Sequence, residues 1–326
     1  MTRSLATTAP SPLATLKADV EGAVRAAEQA RAPATVEAYS RAWRSFRAWC
    51  KDVRKLELPA EPATVAVYLQ HVAEHRRYKP ATLDLHLSAI VWGHLRHGFT
   101  FNRRLHPVAD VRAGLRRQKG VKQKQARPLL VEDIRATVTS LGDEWIDLRD
   151  RAVLLLAFSG AFRSSELLGA VTGLRVSDCK RTRNGYELTV RRSKTDQECA
   201  GMIKHIPEGW PETCPVAALD AWLAWPGHEP EAPLFCGFNR WGKCSGIALS
   251  RLDLSRILKR RAERAGLDVE GFSGHSPRAG LVTEAVEAGV AVRDIREVTG
   301  HKDVNVLEGY VRRNRARVRP AAKGLL

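Results

Sequence analysis

Two separated segments each place an arginine three residues from a second ionisable side chain. In SGAFRSSELLG, Arg163 precedes Glu166, and in SGHSPRAG, His275 precedes Arg278. Residues three apart on a helix share a face, so we expect each pair to act together, with Arg163 at the end of a buried helix. Guanidinium groups stay charged and can bind phosphate oxygens bidentately.

Three further side chains, spread over the second half of the sequence, could take part in catalysis. Lys194 lies in SKTDQ, beyond the second of three predicted strands. His301 follows a helix that a glycine ends, and Tyr310 comes nine residues later in TGHKDVNVLEGY. Taken singly, each of these residue types is more often structural or on the surface than catalytic. Together they offer an amine, an imidazole and a phenol, which are groups that transfer protons or act as nucleophiles.

In the order Arg, Lys, His-x-x-Arg, Gly-His, Tyr, these groups resemble the active site of the tyrosine recombinases (the phage integrase family), most closely the Cre-type members. The resemblance covers residues 129 to 310, and SGHSPR and the spacing from Gly300-His301 to Tyr310 are its most specific parts. Several Cre-type enzymes have Trp where His301 stands, and either residue can donate a hydrogen bond. The resemblance implies a mainly α, two-domain DNA clamp with an all-helical core-binding domain and a mostly helical catalytic domain that contains a small antiparallel β-sheet.

The resemblance assigns the charge-stabilising roles to three residues. Arg163 and Arg278 would hold the non-bridging oxygens of the scissile phosphate, where charge accumulates during in-line attack. Glu166 would orient Arg163 from behind. The two guanidiniums would then do without a metal what two divalent ions do in many nucleases, so no cofactor is expected.

The remaining four groups would carry the bond-making and proton-transfer steps. Tyr310 would be the nucleophile, and because a phenol is mostly neutral at pH 7 it needs a base or a positive field. His275 would act as that base or as a hydrogen-bond donor, and His301 would donate to the phosphate. Lys194 would protonate the departing 5′-oxygen. The implied product is a 3′-phosphotyrosine with a free 5′-hydroxyl, which keeps the energy of the ester, so rejoining needs no ATP.

The first part of the chain is predicted to be helical. Apolar residues recur at helical spacing from Leu16, again after a predicted cap at Thr35, and after Pro62, Pro80 and Pro107, which predicts five short helices. The polar, aperiodic segment GVKQKQARP predicts a linker. The expected domains are a flexible arm at 1–13, a core-binding domain at 14–117, a linker at 118–128, and a catalytic domain with a short basic tail at 129–326.

The second part changes pattern. Residues 130–141 and 146–158 predict helices, and the second of these is apolar nearly all round and hence buried. Three strands, LRVSDC, GYELTV and MIKHIP, are predicted over 174–207, with an Asn184-Gly185 turn between the first two. Helices are predicted to return from Cys214, interrupted by a Pro/Gly-rich stretch at 226–246.

Composition narrows the class of protein. The 326 residues include 53 Lys and Arg against 36 Asp and Glu, a net charge of +17 that favours nucleic acid as the partner. The longest apolar run, 152–158, has seven residues and excludes a membrane helix. Six cysteines without a CxxC pair predict reduced thiols, and the N-terminus lacks a secretion signal, so we expect a cytoplasmic, nucleoid-associated protein.

The expected partner is double-stranded DNA with inverted-repeat sites, bound by a homo-tetramer on two duplexes. Nine Arg or Lys fall between 103 and 127, forming either a solvated tether or a basic strap over the phosphates. The basic residues after Tyr310 either lie on DNA or dock on a neighbouring subunit. The candidate DNA-binding residues are Arg41, Arg44, Arg47, Arg116, Arg117, Lys122, Lys124, Arg251, Arg256, Lys259 and Arg260.

The sequence therefore predicts a site-specific DNA recombinase. A type IB topoisomerase and a telomere resolvase, which use the same tyrosine chemistry, remain alternatives. A sequence-specific DNA-binding protein that does not cleave is the non-enzymatic alternative. The presence of all the catalytic groups argues against it.

Overall fold

The computed structural model describes residues 31–120, 125–191, 201–239 and 241–300. These residues form two compact units, one before and one after positions 121–124. The predicted arm, the first predicted helix and the basic tail lie outside the described residues. None of the helices in the described ranges is both long and apolar enough to cross a bilayer.

The first unit contains four described helices: α1 (Pro33–Asp52), α2 (Pro62–His75), α3 (Pro80–Arg96) and α4 (Val108–Lys119). Three of them begin with a proline, whose fixed φ suits the first helical turn, where its missing N–H is not needed. For that reason the predicted cap at Thr35 is wrong: the N-cap is Ala32 and the helix starts at Pro33.

Aromatic and aliphatic side chains of α1, α2 and α3 form the core of the first unit. Phe46, Tyr68 and Ile90 are fully buried there. Gly93 on α3 allows the Trp43 ring to approach, since a Cβ at position 93 would lie 2.6 Å from that ring. All the regular secondary structure over 31–120 is helical, as predicted.

The second unit is built around α6 (Trp145–Ser159), with α5 (Val131–Thr139) before it and the four-residue α7 (Ser164–Leu167) after it. Residues 152–157 of α6 are all buried, which explains its nearly uninterrupted apolar sequence. The later helices are α8 (Pro215–Leu223), α9 (Asp253–Arg264), α10 (Ser276–Glu287) and α11 (Val292–Thr299). The predicted mainly α class is confirmed.

The three-stranded antiparallel sheet has the order β1 (Cys179–Thr182), β2 (Gly185–Val190) and β3 (Met202–Pro207). The prediction of a strand over 174–179 is wrong except at its last residue. Residues 176–178 form a 3-10 turn, which the Asp178 carboxylate stabilises by accepting from the Arg175 N–H (2.8 Å). Thr182 pairs with Gly185, so the hairpin turn is 183–184, one residue before the predicted one.

A second, two-stranded sheet, β4 (Cys236–Phe238) and β5 (Cys244–Ala248), lies in the stretch predicted only as a break between helices. It also corrects the prediction that all the cysteines are reduced, because Cys236 and Cys244 are joined in a disulfide. The two residues are eight apart in sequence, a spacing that no short motif marks, and antiparallel pairing of β4 with β5 brings them together.

Candidate active site

Arg163 lies where the chain leaves α6 and enters α7. It is the N-cap of α7, so the prediction that it ends the buried helix is wrong, and Glu166 is the third residue of that short helix. One oxygen of the Glu166 carboxylate accepts from the Arg163 backbone N–H (2.9 Å) and the other from the guanidinium (2.5 Å). Glu166 is fully buried, so the Arg163 guanidinium is held against a carboxylate shielded from water.

His275 and Arg278 lie at the start of α10 but in different surroundings. His275 is the exposed N-cap residue, so it precedes the helix face that the two residues were predicted to share. Arg278, in the first turn, is 1% exposed. It donates from Nη1 to the Ala161 carbonyl (2.7 Å) and from Nη2 to the Thr299 carbonyl (2.6 Å). Each bond uses one of the two hydrogens on its nitrogen.

Two glycines at the start of α10 allow the close approach of neighbouring segments, Gly274 to the turn that carries Arg163 and Gly280 to the backbone of Leu129. The Ser164 hydroxyl donates to the Gly274 carbonyl (3.1 Å), and a Cβ at position 274 would lie 2.5 Å from that hydroxyl oxygen. A Cβ at Gly280 would overlap the carbonyl oxygen of Leu129. The glycines of SGHSPRAG therefore permit close backbone packing, which brings Arg278 to the segment just before Arg163.

Lys204, on β3, is a member of this cluster that sequence reasoning missed. It is 3% exposed, donates from Nζ to the carbonyls of Gly160 and Val298 (both 2.6 Å), and lies 5.0 Å from the centre of the Phe162 ring. Burial lowers the pKa of the Lys204 ammonium to about 8; Glu166 opposes this shift, and Arg278 and Arg163 add to it. The alternation of side chains in the strand MIKHIP could have indicated this position. Lys204 is two residues from the buried Ile206 and therefore faces the same, inward side of the sheet.

The end of α11 is the last described part of this cluster. Thr299 is fully buried, and Gly300 takes a left-handed conformation (φ 64°) as the C-cap, which agrees with the predicted glycine-terminated helix. Lys194, His301 and Tyr310 lie outside the described residues. The structure therefore brings together Arg163, Glu166, Arg278 and Lys204, with His275 exposed at the start of α10.

The candidate DNA-binding residues of the first unit are all at least partly exposed where they are described. On α1, Arg41 pairs with Glu37 (3.3 Å) and Arg47 with Glu57 (3.1 Å). The remaining candidates are Arg44, bonded to the Ser40 carbonyl, Arg116, paired with Asp84, and Arg117, with Lys122 and Lys124 outside the described residues. The first two residues of the predicted linker, 118–128, still belong to α4.

In the second unit, some of the candidate DNA-binding residues on and before α9 form ion pairs with other residues of the protein, and others are exposed. The helix starts at Asp253. Arg256 pairs with Asp253 (2.9 Å), whereas Arg260 donates to the buried Asp150 (2.9 Å) and so helps hold α9 on α6. Arg251 and Lys259 are exposed.

Comparison with known proteins places this fold and cluster in a family. The phage integrase family matches residues 127–317. An integrase/recombinase XerD homolog of Selenomonas ruminantium is 32% identical over 298 residues, covering 89% of this chain and 84% of that protein. The Cre recombinase of Escherichia phage P1 is 27% identical over 288 residues, covering 82% and 81%. The chain belongs to the phage integrase family.

Solved structures show the same fold. The XerH site-specific recombinase bound to palindromic difH substrate aligns with a TM-score of 0.58 at 18% identity, covering 81% of this chain and 72% of that one. A lambda integrase dimer bound to a COC′ core site aligns with a TM-score of 0.56 at 17% identity, covering 94% and 82%.

Proposed function

We propose that this protein is a site-specific DNA recombinase that cleaves and rejoins strands through a covalent phosphotyrosine. The arrangement of the two arginines carries the proposal. The Arg278 guanidinium donates to the Ala161 carbonyl, two residues before Arg163. It therefore lies against the short turn that carries Arg163. The buried Glu166 fixes Arg163 there. Two immobilised guanidiniums are suited to the charge that develops on a phosphate under attack.

In the proposed cleavage step, the Tyr310 oxygen forms a bond to phosphorus and the bond from phosphorus to the 5′-oxygen breaks. His275 accepts the phenol proton, and Lys194 gives a proton to the departing oxygen. His301 and the two arginines bind the non-bridging oxygens. The tyrosyl ester keeps the energy of the broken bond, so a 5′-hydroxyl of another strand can reverse the step without ATP.

Replacing the proposed nucleophile tests this function. Duplexes that wild-type protein selects from a randomised library serve as substrate, and a nick near the cleavage point traps the intermediate. We expect Tyr310→Phe to bind the selected DNA as wild type does and to form no covalent adduct on denaturing gels, because the nucleophilic oxygen is gone. Undiminished adduct would refute the assignment.

The same material tests the predicted assembly and distinguishes the alternatives. We propose that four copies act on two duplexes carrying inverted repeats, and that the protein is located in the cytoplasm at the nucleoid. Light scattering of the protein with selected DNA should give a complex of four chains and two duplexes. Relaxation of a plasmid that lacks the selected site, by a monomer, would indicate a topoisomerase, and hairpin products would indicate a telomere resolvase.

A further inference from the structure

Lys204 and Arg278 bridge the same two segments of the chain. Lys204 bonds to the carbonyls of Gly160 and Val298, and Arg278 bonds to those of the next residues, Ala161 and Thr299. Each cation therefore joins one carbonyl at the end of α6 to one at the end of α11. The carbonyl ends of helices carry partial negative charge, so two such ends facing each other favour cations between them.

The bridged segments lead to the residues that would carry the reaction. Gly160 is three residues before Arg163, and Val298 is three residues before His301, on the way to Tyr310. The strand that carries Lys204 follows the segment of Lys194. The Lys204 ammonium thus joins segments that are close in sequence to Arg163, Lys194 and His301. The ammonium itself is buried and is not available to substrate.

We propose that Lys204 is a positioning residue for DNA cleavage, because it ties the end of α6 to the end of α11. This inference rests on the proposed function. Without the ammonium, the end of α11 would lose one of its two described cationic bridges to the end of α6, and Arg278 would provide the other. A displacement of about 1 Å at a reacting group can reduce a rate by about 100-fold.

The main test is single-turnover cleavage by Lys204→Met, with Lys180→Met as the matched control. Lys180 is an exposed lysine on β1 of the same sheet. We expect Lys204→Met to bind selected DNA normally and to form the covalent adduct about 10- to 100-fold more slowly. We expect Lys180→Met to react as wild type does. Cleavage by Lys204→Met at the wild-type rate would overturn the proposal.

A bridging 5′-sulfur in the substrate separates positioning from acid catalysis, because a thiolate leaves without a proton. The defect of Lys204→Met should persist on this substrate, whereas Lys194→Met should be rescued. Rescue of Lys204→Met would make Lys204 the proton donor and overturn the positioning role. If wild-type protein forms no adduct on either substrate, the proposed function itself fails, and that result differs from both.

The pH profile tests whether the charge of Lys204 matters. The charged groups that act on it in the described chain are Glu166 and Arg163 at α7 and Arg278 on α10. The neutral amine keeps two N–H groups, one for each carbonyl, so the ratio of the wild-type rate to the Lys204→Met rate should stay well above one on both sides of pH 8. A ratio that falls to one above pH 8 would show that only the charge matters and would overturn the positioning role.

Hydrogen exchange in wild-type protein provides a test that does not require a variant to fold. After correction for intrinsic pH dependence, the peptide 292–300 should gain protection between pH 7 and 9.5, because an opening that releases Lys204 restores its usual pKa and becomes less favourable as pH rises. Helix α1, in the other unit, should show no such change. Equal protection of 292–300 across this range would contradict the bridge.

Discussion

Glu166 shows how a single buried carboxylate can organise a cationic site. Its two oxygens bind the backbone and the side chain of Arg163, and its field raises the pKa of Lys204 against the effect of burial. Unpaired buried charge is costly, so an anion among Arg163, Arg278 and Lys204 makes the concentration of cations tolerable. The arginines can then stay fixed before any phosphate arrives.

Lys204 also makes stability depend on pH in a defined direction. Its pKa is about 8 in the folded protein and near 10.5 when unfolded, so between these values the unfolded chain binds more protons. The free energy of unfolding should therefore rise with pH from about 8 to about 10.5, by on the order of 3 kcal/mol for this group alone. Below pH 8 the full cost of burying the charge is present.

Urea denaturation of wild type and Lys204→Met at several pH values measures this effect. Methionine does not titrate, so the difference between the two proteins isolates Lys204. That difference should move in favour of wild type as pH rises from 7.5 to 9.5. A difference that stays flat, or moves the other way, would show that Lys204 is not held with a lowered pKa.

At the scale of elements, α6 and α9 are joined by a buried charge network. Asp150 on α6 is fully buried and accepts from Arg149 (2.5 Å), Arg260 (2.9 Å) and Arg261 (2.6 Å). Arg261 also pairs with Asp147 (2.7 Å), and Arg149 donates to the Cys236 carbonyl (3.0 Å). This network positions α9, the helix that carries several candidate DNA contacts.

Removing the Asp150 charge at the centre of that network should destabilise the folded protein strongly. Asp150→Asn removes the carboxylate that the buried Arg149 pairs with and leaves Arg261 with Asp147, so we expect a loss of about 3–5 kcal/mol in the free energy of unfolding. Asp143→Asn is the control, since its carboxylate is 96% exposed and lies 3.7 Å from Arg151. The control should change stability by less than about 1 kcal/mol, measured by urea denaturation. If both variants lose similar amounts of free energy of unfolding, the network does not make the large contribution to stability that we propose.

For the whole molecule, the net charge of +17 predicts binding that depends on salt. Among the candidates near α9, Arg256 and Arg260 are engaged with Asp253 and Asp150, whereas Arg251 and Lys259 are exposed with no bond to another described side chain. We therefore expect the latter two to contact phosphates.

The salt dependence of DNA affinity tests this expectation. Arg251→Gln and Lys259→Gln should each reduce the slope of log affinity against log salt by about 0.9, as loss of one phosphate contact requires. Arg293→Gln, at a 91% exposed side chain on α11, provides a comparison for loss of charge alone. If all three variants shift the slope equally, the effect is one of net charge and not of contact.

Much of the fold could be predicted because it follows local periodicity. The buried α6, the proline-initiated helices and the strands GYELTV and MIKHIP depend on side-chain patterns within a few residues. The failures, at 174–178 and in the second sheet, occur where one tertiary contact decides the conformation. At 174–178, for example, the backbone N–H groups of Val176 and Ser177 donate to the distant carbonyls of Ala232 and Pro230, although the composition of the segment favours a strand.

The amino-acid order by itself determined the family resemblance and the identity of the candidate groups, because motifs such as SGHSPR preserve residue types at close spacing. Only the tertiary structure decided that Arg163 caps a separate short helix, that Arg278 is buried against the ends of α6 and α11, and that Lys204 joins them. The bonds that Arg278 and Lys204 make join residues that are 21 to 117 positions apart in the sequence. Local patterns do not encode which distant carbonyl a buried cation will meet, since that depends on how helices pack.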